Sequence, residues 1–162
     1  MSITAARRHL DRTLSALAAE YGRVEVVRER HEVSMADYER LRERTEALNS
    51  PGGAAAWVRD PDGRILLVET EEGWAEPGTS LQPGQEYVEC AEAAVRRHGV
   101  TPALTGLSHV HIRHVVDGTD RPPLPQPLVV FDARANESVE SPAEWHDRLP
   151  ERLLYEYLRE LR

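Results

Sequence analysis

Residues 74–100, WAEPGTSLQPGQEYVECAEAAVRRHGV, decide the fold of this chain. Leu81 to Gly84 reads as loop, and at Glu86 the pattern changes. Tyr87 or Val88, Ala91, Ala94 or Val95, and His98 recur at steps of three and four, which places them on one side of a helix over residues 86–98. Gly99 suits the C-terminal cap, and Arg96, Arg97 and His98 lie at the negative end of the helix dipole. Glu92 precedes Arg96 by one turn, the more favourable order for an ion pair worth about 0.3–0.5 kcal/mol.

Upstream, Ala54–Val58 and Ile65–Val68 read as short strands joined by the turn sequence Asp60-Pro61-Asp62-Gly63. Downstream, Leu107–Val116 and Leu128–Ala133 read as strands separated by the proline-rich run Arg121-Pro122-Pro123-Leu124-Pro125. Ser141-Pro142-Ala143-Glu144 has the form of a capping box with Pro at the first helical position. Pro150 is expected to restart a helix ending the chain, with Leu154, Tyr157, Leu158 and Leu161 inward.

The first 50 residues read as helix, strand, helix. Ser2 caps a helix whose apolar stripe is Ile3, Ala6, Leu10, Leu14, Leu17 and Tyr21, and Gly22 ends it. Arg23–Val33 is Val-rich and extended, and Ser34 with Asp37 opens a second helix along Met35, Tyr38, Leu41 and Leu48. Asn49-Ser50-Pro51-Gly52-Gly53 then breaks the chain, giving an extension over residues 1–50 and a domain over 52–162. The narrow stripe through Leu10, Leu14 and Leu17 suits a helix–helix seam, so homodimerisation through residues 1–50 is one expectation. Packing of the same stripe on the chain's own core is the other.

Composition narrows the function classes. The 162 residues suffice for one domain with a core, and 40% hydrophobic with 30% charged content is globular. Every basic residue is Arg, and the net charge of −8 argues against a general nucleic-acid binder. No apolar run reaches the roughly 18 residues of a membrane span, and a cytoplasmic location is expected. Cys90, the only cysteine, leaves no intrachain disulfide or Cys-based zinc cluster.

The region from Ala54 to Val100 resembles the Nudix hydrolases: a strand, an Asp-Pro-Asp-Gly turn, a Leu-Leu-Val strand, then Trp74 ahead of Pro77-Gly78 and a loop running into a helix. The family motif runs Gly, five residues, Glu, seven residues, then Arg-Glu-apolar-x-Glu-Glu-x-Gly-apolar. Gly78 and the pair Gly99-Val100 match its ends without a gap, and residues 128–131 with the run from Glu144-Trp145 to Leu149-Pro150 resemble the family's C-terminal pattern. The resemblance implies an α/β fold with a mixed sheet between helices. Inside the motif the chain departs: Gly84 replaces the first Glu, Glu92-Ala93 replaces Arg-Glu, and Arg96-Arg97 replaces the last Glu pair.

Family members hold Mg²⁺ or Mn²⁺ with carboxylates of the motif helix, and both are hard cations that need oxygen ligands. Arginine cannot ligate a cation or act as a base near neutral pH. The resemblance with these substitutions therefore implies a divergent Nudix-like domain deficient in metal-dependent hydrolysis, with no cofactor, acting as a nucleotide- or phosphate-ligand-binding or protein-interaction module. In the binding reading, Arg96 and Arg97 take a phosphate directly, with Trp74 stacking a base and Gly78 in the loop. In a second reading these are solvated helix charges. In a third, Glu86, Glu89 and Glu92 share a helical face and form a relocated Mg²⁺ or Mn²⁺ site of an active hydrolase cleaving a nucleoside-diphosphate-linked substrate.

His109 and His111 fall on one face of a strand, where a third ligand would make a transition-metal site. A solvent-facing pair opposite Val110 and Ile112 is the commoner arrangement and the one expected. Cys90 is expected as a small buried hydrophobe.

Overall fold

The protein is described from a computed structural model over residues 2–48, 52–155 and 158–159. Its helices are α1 (Ile3–Tyr21), α2 (Met35–Leu48) and α3 (Tyr87–Arg96). The strands are β1 (Val26–Glu32), β2 (Gly53–Arg59), β3 (Ile65–Thr70), β4 (Gly73–Ala75), β5 (Gly78–Ser80), β6 (Ala103–Val116), β7 (Leu124–Arg134) and β8 (Ala143–His146). They form one mixed sheet with the path β1-β6-β7-β2-β3-β4, while β5 pairs with β2 and β8 with β3. β1 runs parallel to β6 and β2 parallel to β7; the remaining pairs are antiparallel.

Local chemistry sets the ends of these elements. The Ser2 hydroxyl accepts from the Ala5 amide at 3.1 Å, and Gly22, at φ +79°, donates its amide to Ala18 at 2.9 Å. The Ser34 hydroxyl likewise accepts from the Asp37 amide at 3.1 Å. In the β2–β3 turn the buried Asp60 carboxylate takes the amides of Asp62 and Arg64 and the Arg64 guanidinium.

Each face of the sheet has its own cover. On one side Leu10 and Leu17 of α1 and Cys90 and Ala91 of α3 pack with Ala54, Val110, Ile112, Val129 and Phe131. On the other, Leu153 and Leu158 lie in a cluster with Ala55, Trp57, Leu67 and Val130. β2 lies under both layers, so every residue from Gly53 to Val58 is buried, and its run of alanines leaves room for helix α3. Trp57 and Leu66 lie on neighbouring strands.

The N-terminal segment belongs to this same sheet. β1 pairs residue for residue with β6 from Val26↔Val110 to Glu32↔Val116, and the stripe of α1 faces the chain's own core. The surface that suggested a helix–helix seam is thus occupied within the chain. Tyr38 anchors α2 in a cluster with Val115 and Leu124, and its hydroxyl donates to the Pro122 carbonyl at 2.7 Å.

The sequence reading fails in two places. Residues 143–146 form strand β8, not a helix. β3 would otherwise present an open edge; Leu66 pairs with Trp145, whose indole donates to the Glu137 carbonyl at 2.9 Å, and this pairing outweighs a local capping signal. After Pro150 the chain runs beside Trp74, with the Trp74 amide donating to Arg152 and the Leu154 amide to Trp74, both at 2.9 Å. The expected terminal helix is absent through Tyr155; Leu158 is buried, and Tyr157 and Leu161 lie outside the described residues. The strands also run further than read: β6 starts at Ala103, and β7 takes in Leu124 and Pro125 of the proline run.

Candidate functional site

β2 changes partners along its length. Its first three residues pair with β5 (Gly53↔Ser80, Ala54↔Thr79, Ala55↔Gly78), and only its last residue pairs with β3. The sheet therefore opens between β5 and β3–β4, and a cavity of about 680 Å³ lies along that opening. Its size falls within the range of small-molecule sites, about 300–1,000 Å³. Glu76-Pro77-Gly78-Thr79-Ser80 forms one wall, Arg97 and His98 from the end of α3 another, and Leu41, Arg44 and Thr45 of α2 a third. His111 and Arg113 of β6 and Tyr155 of the C-terminal segment complete the lining.

The glycine at 78 has a packing reason. A Cβ there would approach the Cβ of Ala55 to 3.0 Å, so the loop lies directly on β2. Arg97 extends over this loop, and its Nη2 donates to the Thr79 hydroxyl at 3.1 Å. Arg96 does something different. It points off the cavity and pairs with Glu92 at 3.2 Å, one turn back on its own helix. In the sequence the two arginines form one feature; the helix turns only Arg97 to the cavity.

The other predicted residues divide in the same way. Gly78 lines the cavity. Trp74 does not: its ring meets His146 edge-on at 4.5 Å and packs against the cluster around Leu67 and Leu153. Glu86, Glu89 and Glu92 lie off the cavity. Gly84, at φ +76° with open space around it, sits in an exposed turn, and Ala93 is exposed.

The cavity holds groups that periodicity did not single out. Among the described residues Glu76 is the one carboxylate in its lining, and it is only 4% exposed. The signal was present as a Glu between Trp74 and Pro77, where an apolar residue is the expected filling. At the cavity's other end Glu29 of β1 meets both His111 (Nε2 to Oε1, 3.2 Å) and Arg113 (3.9 Å). Tyr155 closes this group, its ring 4.9 Å from His111 with the Arg113 guanidinium 5.7 Å above it. Burial raises the Tyr155 phenol above its ordinary range.

His109 and His111 do share a face, but that face is not solvent: they are 1% and 0% exposed. β6 is covered on both sides here, so Val110 and Ile112 face one core while the histidines face the other. Burial first, then the neighbouring His111, pushes His109 down to about 4. His111 is also lowered by burial, with Glu29 opposing and Arg113 reinforcing. Ser108 bonds the His109 Nδ1 at 2.9 Å.

The donor set does not fit a hard divalent cation. Among the described residues the cavity lining offers one carboxylate, Glu76, against the guanidinium groups of Arg44, Arg97 and Arg113. Among the described residues no three His, Cys, Asp or Glu side chains converge as a metal would need.

The architecture is similar to that of a solved Nudix hydrolase from Nitrosomonas europaea, with 10% identity over 68% of this chain and 70% of that one, at a TM-score of 0.51. The chain has the Nudix fold. It is also similar to the MutT protein of Methanosarcina mazei Go1 (18% identity, 59% of this chain and 75% of that one, TM-score 0.46). A third similar structure is the dihydroneopterin triphosphate pyrophosphohydrolase of E. coli (10% identity, 60% and 80%, TM-score 0.42). No family model and no curated protein matches the sequence. At these identities the Nudix likeness is one of fold, and the chemistry rests on the cavity.

Proposed function

We propose that this Nudix-fold protein binds a small phosphorylated ligand, of nucleotide type, without metal-dependent hydrolysis. One observation carries the reading. At the cavity wall Arg97 presents a guanidinium oriented by a neutral hydroxyl, Thr79, and among the described residues no carboxylate neutralises it. A guanidinium so held offers a cationic donor fork that matches phosphate oxygens. Glu76, the lone cavity carboxylate among the described residues, gives too few oxygens to cage Mg²⁺ or Mn²⁺, so the arginine takes the neutralising role directly.

Calorimetric titration with a nucleotide panel in chelator tests this. Binding that persists in chelator and is lost in Arg97→Ala, but not in Arg96→Ala, supports the reading. Binding that needs Mg²⁺ or Mn²⁺ overturns it.

A further inference from the structure

The arginines of α2 and α3 divide in the same way. On α2, Arg40 pairs with Asp37 and Arg42 with Glu39, each within its own helix; on α3, Arg96 pairs with Glu92. The remaining members, Arg44 and Arg97, are the ones that line the cavity, and among the described residues neither has a carboxylate within ion-pair distance. On these two helices the arginines paired with an acid lie off the cavity, and the two that line it have no acid partner among the described residues.

The two approach from different sides. Arg97 rests on Thr79, which pairs with Ala54 and shares that residue's face of the sheet. Arg44 sits beside Thr45, whose hydroxyl accepts from Gln126 at 3.1 Å, and Gln126 shares the opposite face with Leu128. Thr79 and Gln126 are two strands apart, across β2, and three residues apart along β7. That separates the anchors by about 10 Å in each direction. Two arginines that enter from separate anchors suit a ligand with anionic groups at two positions better than a single phosphate.

Resting on the phosphate-binding reading above, we infer that Arg44 is a second anion-binding residue. The cavity accordingly takes a small molecule carrying anionic groups at two separated positions, of the nucleoside bisphosphate kind. The N-terminal segment then completes the binding site by delivering Arg44 on α2, held in place by Tyr38 and by the Thr45–Gln126 bond.

Titration of the full chain in chelator with adenosine 3′,5′-bisphosphate, adenosine 5′-diphosphate and adenosine 5′-monophosphate tests the inference, because the first two carry similar charge at different spacing. The wild type should bind the bisphosphate about tenfold or more tighter than the diphosphate. Arg44→Ala and Arg44→Glu should erase that preference and leave the monophosphate within about twofold. Arg40→Ala, an exposed arginine already paired on the same helix, should behave as wild type. Equal wild-type affinity for the two isomers, or a preference that survives in both Arg44 variants, overturns this inference. Arg97→Ala without effect on any of the three ligands overturns the phosphate reading beneath it.

Discussion

The Arg97 side chain bridges from the end of helix α3 to the hydroxyl of Thr79 on β5, Nη2 to Oγ1 at 3.1 Å. That bond fixes a long, exposed cation over a loop already pressed onto β2. Removing the hydroxyl should free the guanidinium without removing its charge. Thr79→Val is expected to weaken phosphate binding about three- to tenfold, as loss of one neutral hydrogen bond would. Arg97→Ala should cost about tenfold to a hundredfold, the range for a charge-assisted bond. Calorimetry on both variants checks the order; a larger loss in Thr79→Val than in Arg97→Ala contradicts it.

Hydrolysis is expected to be absent. With Gly84, Ala93, Arg96 and Arg97 at the motif positions and Glu86, Glu89 and Glu92 off the cavity, nucleoside di- and triphosphate derivatives should release no phosphate above background with Mg²⁺ or Mn²⁺. Turnover that collapses in Glu89→Gln or Glu92→Gln would restore the relocated-carboxylate reading.

Acid should destabilise the fold through β6. An unfolded histidine takes its proton near pH 6.5, but buried His109 does so only at about 4. Between those values the unfolded chain binds the extra proton, so stability is retained above pH 6.5 and falls as pH drops toward 4. From pH 7 to pH 5 the loss from His109 is about 2 kcal/mol. His111 is shifted the same way and adds to it. Urea unfolding of wild type and His109→Leu at both pH values measures this; equal pH slopes for the two proteins would refute it.

Residues 1–51 should prove necessary for a soluble core. α1 covers Val110, Ile112, Val129 and Phe131, so a chain starting at Gly52 is expected to aggregate in light scattering. Leu10→Ala and Leu17→Ala should each cost about 2–5 kcal/mol in the full chain. A monodisperse, folded truncated chain would show that the stripe is not needed on this sheet and return it to the role of a dimer seam.

Helix α3 was legible because ten residues of strong period and a glycine stop leave few alternatives, and α1 for the same reason. β8 was not. Its four residues are too few to show alternation, and their pairing with β3 depends on an edge that no local pattern announces. The burial of His109 and His111 was hidden by a rule of thumb: alternation of polar and apolar residues implies one wet face, yet β6 has a cover on each side. Arg44 carried no signal of its own. What distinguishes it from Arg40 and Arg42 is an acid three residues back that each of those has; that it faces a cavity appears only once the helix is docked.

The sheet joins distant parts of the chain: among the described strands β1 pairs with β6 alone, and β2 lies parallel to β7, Val26 against Val110 and Gly53 against Leu128. During synthesis, helix α1 emerges long before Val110, Ile112, Val129 and Phe131 of β6 and β7, which make up much of the surface its stripe covers. Such non-local pairing is slow to form and leaves apolar surface open meanwhile. Interruption of translation before β7 therefore leaves not a smaller domain but a sheet split in two, with β2 held only through β5 and β3 among the described strands and β6 unconnected to it.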